Sequence, residues 1–412
     1  MKSDWKKNTT RFLFCQAISL FGSSLVQYAI MWHITLKTES GVMMMLSIVC
    51  GFLPTFFMSP FAGVWADRYN RKLLIVFADA GIAFSTLILA IIFMLGYDEI
   101  WLLFVVSAVR ALGTSVQIPA VGAFLPQIVP EDKLTRVNGI NGSLQSAINL
   151  ISPMASGALL TIASIEIIFF IDVATATIAV FAMLLLVHVA PHEKALQKQQ
   201  MGYFEDFRIG LKYIKSHPFI KQFFVYCAIF FFLVTPAAFL TPLQVVRSFG
   251  DEVWRLTAIE ITFSAGMMLG GFIMASWGGF KNKIHSMALA GFGIGVLTIA
   301  LGAVPVFWLY LLVMVLTGLA IPIFGTPATV LLQERVEEKF MGRVFGVYGM
   351  ISSAMMPIGM LVFGPVSDSI AIEWLLLGTG ALVLIQNIFM LGSKALLKAG
   401  MPVQKQQKAD HQ

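Results

Sequence analysis

The sequence predicts an all-α membrane protein with twelve transmembrane helices in two six-helix, pseudo-symmetric bundles. Three observations lead to this prediction: 58% of the 412 residues are hydrophobic, long apolar runs recur from end to end, and stretches of the first half reappear in the second. Only 12% of the residues are charged, whereas soluble domains carry about a quarter. An apolar run of about 20 residues crosses the hydrocarbon core of a bilayer. The composition therefore excludes a soluble protein.

The first span follows a basic N-terminal stretch that includes Lys6 and Arg11. Its apolar run is too long for a signal peptide and lacks a cleavage site of small residues, so we interpret it as a transmembrane helix. Eleven further runs follow, separated by polar loops that are short except for the one in the middle of the chain. The predicted spans are 11–35, 42–66, 73–95, 100–124, 137–161, 166–189, 218–246, 257–279, 284–304, 306–330, 343–366 and 372–396.

Cations are concentrated in the loops on one side of this topology. The opposite loops contain Lys37, Arg247 and Arg255, whereas most of the other lysines and arginines precede the first span, fill the central loop or close the chain. Because positively charged loops stay in the cytoplasm, both termini are expected there. The net charge of +6 is thus explained by topology, and we predict no nucleic-acid partner.

The two halves of the chain repeat each other. Leu125–Gly139 matches Leu331–Gly346 with one residue inserted, and the pattern Trp65, Asn70 is echoed by Trp277, Asn282. A long polar stretch separates the halves. The predicted organisation is an N-terminal bundle 1–190, a cytoplasmic linker 191–217, a C-terminal bundle 218–398 and a cytoplasmic tail 399–412.

A short charged bridge joins the second and third spans. Asp67, Arg68, Arg71 and Lys72 fall within six residues, and Gly63 precedes them. The three cations favour the cytoplasmic side, Gly63 allows close approach of helices, and Asp67 lies at a helix end where a cation or a helix N-terminus could meet it. An ordinary turn of a membrane protein is the alternative interpretation.

Among the ionisable residues within the predicted spans, four qualify as candidates: Asp79, Arg110, Asp172 and Glu260. Each costs about 3 kcal/mol in a bilayer, so such residues are candidates for function. Arg110 stays protonated and can act as counter-ion to a carboxylate that binds and releases protons. We predict proton coupling at these four residues. Alternatively, Asp79, Arg110 and Asp172 tie helices together, and Glu260 reaches the outer surface.

The sequence contains no pattern for enzymatic chemistry. A nucleophile with its base, a metal-ligand cluster and a phosphate-binding loop of the ATPase type are all missing. Cys15, Cys50 and Cys227 lie in apolar runs and are interpreted as packing residues. We therefore expect no catalytic residues, no metal and no cofactor, with a proton gradient as the energy source.

The charged bridge resembles the signature loop of the major facilitator superfamily, Gly-x-x-x-Asp-Arg-x-x-Arg-Lys. In the fifth span, Ser152, Pro153, Ser156 and Gly157 resemble the antiporter motif of drug-exporting members, with serines in place of two glycines. Arg110 resembles the arginine of their fourth span, although Gly113 follows it one residue earlier than usual. Nearly the whole chain is similar to the bacterial macrolide-efflux permeases.

This resemblance implies proton-driven export of bulky lipophilic compounds, with macrolides as cargo, across the bacterial inner membrane by alternating access. The bridge would latch the outward-open state. Protons, membrane lipid and a small lipophilic substrate are the implied partners. By the same resemblance, spans 1, 4, 7 and 10 line the cavity, and soft or aromatic side chains suit it. The candidate cavity residues are Gln27, Phe231, Pro236 and Met355.

Two alternatives stay open. A related transporter could carry another cargo, such as a siderophore or a lipid, or it could work as an importer. A non-transporting scaffold or sensor could instead bind a partner ATPase at Pro191–His217, although the chain has no sizeable soluble domain.

Overall fold

The structure, a computed structural model, describes residues 5–130, 133–187, 189 and 212–402, and within these ranges it contains helices and no strand. The helices of the first half are α1 (Trp5–Thr38), α2 (Gly41–Arg68), α3 (Arg71–Met94), α4 (Ile100–Ile128), α5 (Leu134–Ile162) and α6 (Ile165–Leu186). Those of the second half are α7 (Pro218–Leu233), α8 (Thr235–Phe239), α9 (Thr241–Phe249), α10 (Val253–Trp277), α11 (Lys283–Ala303), α12 (Phe307–Arg335), α13 (Glu338–Ser367), α14 (Ile372–Gly392) and α15 (Lys394–Gly400).

Ten of the described helices are long and apolar enough to cross a membrane. Two predicted spans fall outside that group for different physical reasons. Helix α5 is long, but its first half, from Asn138 to Asn149, is polar and mostly exposed. The seventh span, predicted as one helix over 218–246, is a succession of α7, α8 and α9.

The breaks in the seventh span coincide with prolines. Pro236 and Pro242 lie in the first turns of α8 and α9. A proline has no N–H to donate to the preceding turn and its ring clashes with it, so a helix ends before proline more readily than it continues. The apolar run predicted the span, but its division was set by these two residues.

The described residues divide into two compact units. The first unit comprises the described residues up to 189 except 39–45, together with 252–257; the second comprises 39–45, 212–251 and 258–402. Of the predicted linker, 191–211 lies outside the described residues, and 212–216 is helical. The exact domain boundaries remain a prediction.

The same helix pairs pack together in both units. In the first, α1 contacts α5 and α6, and α3 contacts α4 and α6. In the second, α7 contacts α13 and α14, and α11 contacts α12 and α14. When α7, α8 and α9 are counted as one span, the first span of each half contacts the fifth and sixth, and the third contacts the fourth and sixth. The predicted pseudo-symmetric helical architecture is confirmed.

Each unit has its own apolar core with aromatic rings at its centre. In the first unit, the ring centroids of Phe12 and Phe124 are 5.0 Å apart. In the second, those of Phe230 and Phe324 are 4.2 Å apart and nearly parallel. Both pairs are almost completely buried, which fixes the helices that carry the polar residues described below.

The repeated asparagines have the same structural role. Asn70 accepts hydrogen bonds from Lys72 N and Leu73 N at the start of α3, and Asn282 accepts one from Ile284 N at the start of α11. Such N-caps satisfy N–H groups that lack a helical partner. The halves differ just before the cap. Helix α2 continues to Arg68, whereas α10 ends at Trp277 because Gly278 and Gly279 adopt φ of +72° and +79°.

Candidate functional site

A buried charged cluster lies inside the first unit, centred on Arg110 of α4. Arg110 Nη1 is 2.5 Å from Asp172 Oδ2 of α6, with side-chain exposures of 10% and 0%. The same nitrogen donates to Thr86 Oγ1 of α3, and Nη2 donates to Ser23 O of α1 at 3.1 Å. One guanidinium therefore connects four helices, which its planar fork of donors allows.

Asp79 is the second buried carboxylate of this unit. It lies on α3 and is 6% exposed. The Ser19 hydroxyl of α1 is its hydrogen-bond partner. Among the described ion pairs, none includes Asp79. The two carboxylates thus have different environments, since one is held by an arginine and the other by a neutral hydroxyl.

One carboxylate oxygen of the cluster around Arg110 lacks a hydrogen-bond partner. Asp172 Oδ1 is buried and has no hydrogen-bond partner within the described part of the chain. Gly22 of α1 lies directly against this region, where a Cβ would overlap the Thr175 hydroxyl and come within 3.0 Å of Asp172 Oδ1. A glycine at this position lets α1 approach α6 closely enough to cover the carboxylate. A buried polar atom without a partner costs about 1–3 kcal/mol.

Glu260 does not belong to this cluster. It lies on α10 in the second unit and is half-buried. In the described ranges, Glu260 has no ion-pair or hydrogen-bond partner. Of the four predicted proton-coupling residues, the structure pairs Arg110 with Asp172 and places Asp79 in the same unit. The coupling itself remains a prediction for all four.

The antiporter-like motif is buried in α5. Ser152 and Ser156 are both 0% exposed. Ser156 Oγ donates to Leu25 O of α1 at 3.1 Å, whereas Ser152 Oγ has no partner among the described residues. At Gly157, a Cβ would overlap the hydroxyl of Thr257, which belongs to the same unit. Together with the buried Pro153, these residues form a face of α5 that neighbouring helices approach closely.

Two cations of the predicted gating loop bind backbone carbonyls. Arg71 Nε donates to Ala66 O, in the last turn of α2, at 3.0 Å. Lys72 Nζ donates to Leu184 O at 3.0 Å and to Val187 O at 2.8 Å, at the end of α6. Cations stabilise helix C-termini by meeting carbonyls that lack a helical partner. The bridge therefore holds helix ends within the first unit.

The remaining gating-loop residues lie in α2, but their side chains are outside the described ones. Gly63 and Asp67 precede Arg68, which is the last residue of α2. The latch function of the loop stays a prediction.

The four candidate cavity residues differ in environment. Gln27 of α1 is exposed, and Met355 of α13 is half-buried. Phe231 packs on the core of the second unit with its ring centroid 5.8 Å from that of Phe230. Pro236 is buried in α8. Gln27 belongs to the first unit and the other three to the second, and their role in substrate binding stays a prediction.

A second polar cluster, centred on Asp368, was not predicted from the sequence. Asp368 follows α13 and caps the start of α2: Gly41 N donates to Oδ1 at 2.6 Å, Val42 N to Oδ2 at 3.0 Å and Ser40 Oγ to Oδ2 at 2.8 Å. Arg247 Nη2, at the end of α9, donates to Oδ1 at 2.8 Å. All these residues belong to the second unit.

The same arginine holds the turn before α2. Arg247 Nη1 donates to Ser367 O at 2.6 Å, and Nη2 donates to Glu39 O at 2.5 Å. Glu39 has φ of +45°, a conformation that costs a non-glycine residue about 1–2 kcal/mol. Burial acts to raise the pKa of Asp368, but hydrogen bonds from Gly41, Ser40, Val42 and Arg247 outweigh it and lower the pKa below its usual value. Arg247 is one of the few cations in the loops that the sequence predicts to be outer, which is the signal that could have led to this cluster.

The sequence profile of the Major Facilitator Superfamily matches residues 12–360 of this chain. The macrolide efflux protein A of Streptococcus pyogenes is 28% identical over 384 residues, covering 93% of this chain and 95% of that protein. The staphyloferrin A transporter of Staphylococcus aureus is 21% identical, covering 94% and 98%.

Solved structures show the same fold. A bacterial homologue of the human lysosomal transporter Spinster superposes with a TM-score of 0.73, covering 98% of this chain and all of that one at 13% identity. The helical architecture, its repeat and the profile match agree with one another. The chain therefore belongs to the major facilitator superfamily, and it is a multi-pass membrane transporter of small molecules rather than an enzyme.

Proposed function

We propose that this protein exports bulky lipophilic compounds, macrolide antibiotics first among them, in exchange for protons by alternating access. The site that carries the proposal is the buried pair of Arg110 and Asp172, together with the buried carboxylate of Asp79 in the same unit. The similarity to macrolide efflux protein A over 93% of the chain supports the choice of cargo. We place the protein in the bacterial inner membrane with both termini in the cytoplasm, because the cations favour that orientation.

In this proposal the carboxylates of Asp172 and Asp79 have different roles in proton coupling. Arg110 is the counter-ion of Asp172, with Nη1 2.5 Å from Oδ2, and a hydrogen bond between two charged groups is stronger than one between neutral groups. Asp79 has a hydroxyl partner in place of a cation, so it is the residue that takes up and releases the proton. A change in its charge, in the same unit as the Arg110–Asp172 pair, would alter how tightly α1, α3, α4 and α6 are held together, and this links protonation to the opening of the cavity.

The experiment uses everted membrane vesicles that contain the protein. An imposed inside-acid gradient is applied and labelled erythromycin is added outside, because everted geometry turns export into uptake. We expect accumulation that a protonophore abolishes, and accumulation reduced at least about tenfold in Asp79→Asn, as expected when a charge-changing group is removed from a transport pathway. Vesicles that contain an Asp98→Asn variant are the control, since Asp98 is an exposed loop carboxylate paired with Lys37.

Other results would change the proposal in defined ways. An intact protein that accumulates no macrolide would refute that cargo. A siderophore or a lipid would then be the next compound to test, since a staphyloferrin A transporter is among the relatives. Accumulation that persists with a protonophore would refute proton antiport.

Replacing Asp67 with asparagine tests the proposed latch. We expect transport to fall several-fold while the amount of protein in the membrane stays near that of the wild type, because a neutral amide interacts more weakly with a cation or a helix N-terminus. Transport rate and membrane abundance are measured side by side. Loss of the protein itself would show that Asp67 serves folding, and unchanged transport would refute the latch.

A further inference from the structure

A cavity of about 590 Å³ lies between the starts of α1 and α5, away from the cluster around Arg110. Its walls come from one face of each helix. On α1 the lining residues recur with helical spacing from Trp5 to Ala17, and at α5 they recur from Lys133, the residue before the helix, to Leu144. Side chains three and four residues apart share a helix face, so the cavity is a groove between two aligned faces within the first unit.

The groove is cationic at one end and apolar at the other. Lys6, Lys133 and Arg136 lie at the beginnings of the two helices. Deeper along the same faces are Phe14 and Ile140, which are 62% and 46% exposed. At a rise of about 1.5 Å per residue, the lining extends roughly 12–16 Å from the cationic end. That length is close to the hydrocarbon depth of one bilayer leaflet, about 15 Å.

A buried hydroxyl in this groove lacks a partner. Thr9 lines the cavity and is 4% exposed, and its Oγ1 has no hydrogen-bond partner in the described residues. A hydroxyl can donate to an anionic oxygen, and binding such a group would remove the cost of the unsatisfied atom. Three cations and one donor at the head of an apolar groove match a phosphate attached to an acyl chain.

We propose that this groove binds an anionic membrane phospholipid, with the phosphate at Lys6, Lys133, Arg136 and Thr9 and an acyl chain along Phe14 and Ile140. A free phosphate shares the headgroup chemistry but would leave the apolar walls without a ligand. The proposal depends on neither the cargo nor proton coupling.

Lipid binding is measured on the purified full-length protein in a neutral detergent by the rise in unfolding temperature on titration. The additives are phosphatidylglycerol, phosphatidylcholine with the same acyl chains, diacylglycerol, and inorganic phosphate. We expect a saturable rise with phosphatidylglycerol, a weaker one with phosphatidylcholine, and none with diacylglycerol or phosphate. The double variant Lys133→Gln/Arg136→Gln should bind phosphatidylglycerol about 30-fold more weakly, from roughly fivefold per cation at an anionic lipid surface.

Two further variants separate lipid recognition from general effects. Lys215→Gln/Lys221→Gln removes the same charge from exposed positions outside the groove and should leave the affinity unchanged. Thr9→Val should raise the unfolding temperature of the lipid-free protein, because the unsatisfied hydroxyl is gone, and yet lower the affinity for phosphatidylglycerol several-fold. A purely structural role of Thr9 would not move these two quantities in opposite directions.

Three outcomes would overturn the proposal. An equal effect of inorganic phosphate would show a free-anion site, and an equal effect of diacylglycerol would show apolar binding without headgroup recognition. Unchanged affinity in Lys133→Gln/Arg136→Gln would place the lipid elsewhere on the protein.

Discussion

Replacing Arg110 with lysine is expected to lower proton-driven accumulation by at least about tenfold, a loss equivalent to about 1.4 kcal/mol or more. Lysine keeps the charge but has one ammonium in place of a planar fork. It cannot reproduce the contacts with Asp172 Oδ2, Thr86 Oγ1 and Ser23 O that Arg110 makes to three other helices. The readout is protonophore-sensitive uptake by everted vesicles at matched protein levels. Normal proton-dependent transport in Arg110→Lys would remove this residue from the mechanism.

A pair of apolar variants separates coupling from helix packing. Arg110→Leu leaves Asp172 buried without its cation, which should lower the free energy of unfolding by about 3–5 kcal/mol. Arg110→Leu/Asp172→Leu removes both charges and should recover most of that stability, since apolar pairs can replace a buried ion pair at little cost. We expect the double variant to remain inactive in proton-driven transport. A stable double variant that still transports would show that the pair only ties α4 to α6.

Replacing Asp368 with asparagine is expected to lower the free energy of unfolding by about 1–2 kcal/mol near neutral pH, the range measured for helix caps and charges at helix N-termini. The amide cannot match the charge that meets Arg247 and the N–H groups of Gly41 and Val42. Asp98→Asn is the matched control, because the side chain of Asp98 is 62% exposed. Unfolding of both variants and the wild type is followed in detergent.

The effect of Asp368→Asn should depend on pH in a defined direction. The folded state lowers the pKa of Asp368, so its carboxylate contributes fully above the ordinary carboxyl value of about 3.9 and loses that contribution as pH falls through the lowered pKa. The difference between wild type and variant should therefore shrink in acid. A difference that stays constant down to low pH would show that shape, and not charge, holds the start of α2.

The sequence by itself determined the class of this protein, because the bilayer imposes strong constraints on composition. Long apolar runs had to be membrane spans, and the cation pattern predicted their orientation. The repeat between the halves predicted two equivalent bundles, which the equivalent roles of Asn70 and Asn282 illustrate. The high cost of charge in a bilayer also selected Asp79, Arg110 and Asp172 before any contact was known.

Tertiary structure alone decided which of these residues meet. Spacing along the chain does not report the rotation of one helix against another, so the pairing of Arg110 with Asp172 and the exclusion of Glu260 from that cluster depend on packing of α1, α3, α4 and α6. The contact of Asp368 with the start of α2 joins residues more than 320 positions apart. The cationic groove likewise exists because α1 and α5 present matching faces to each other, and neither face alone predicts a cavity.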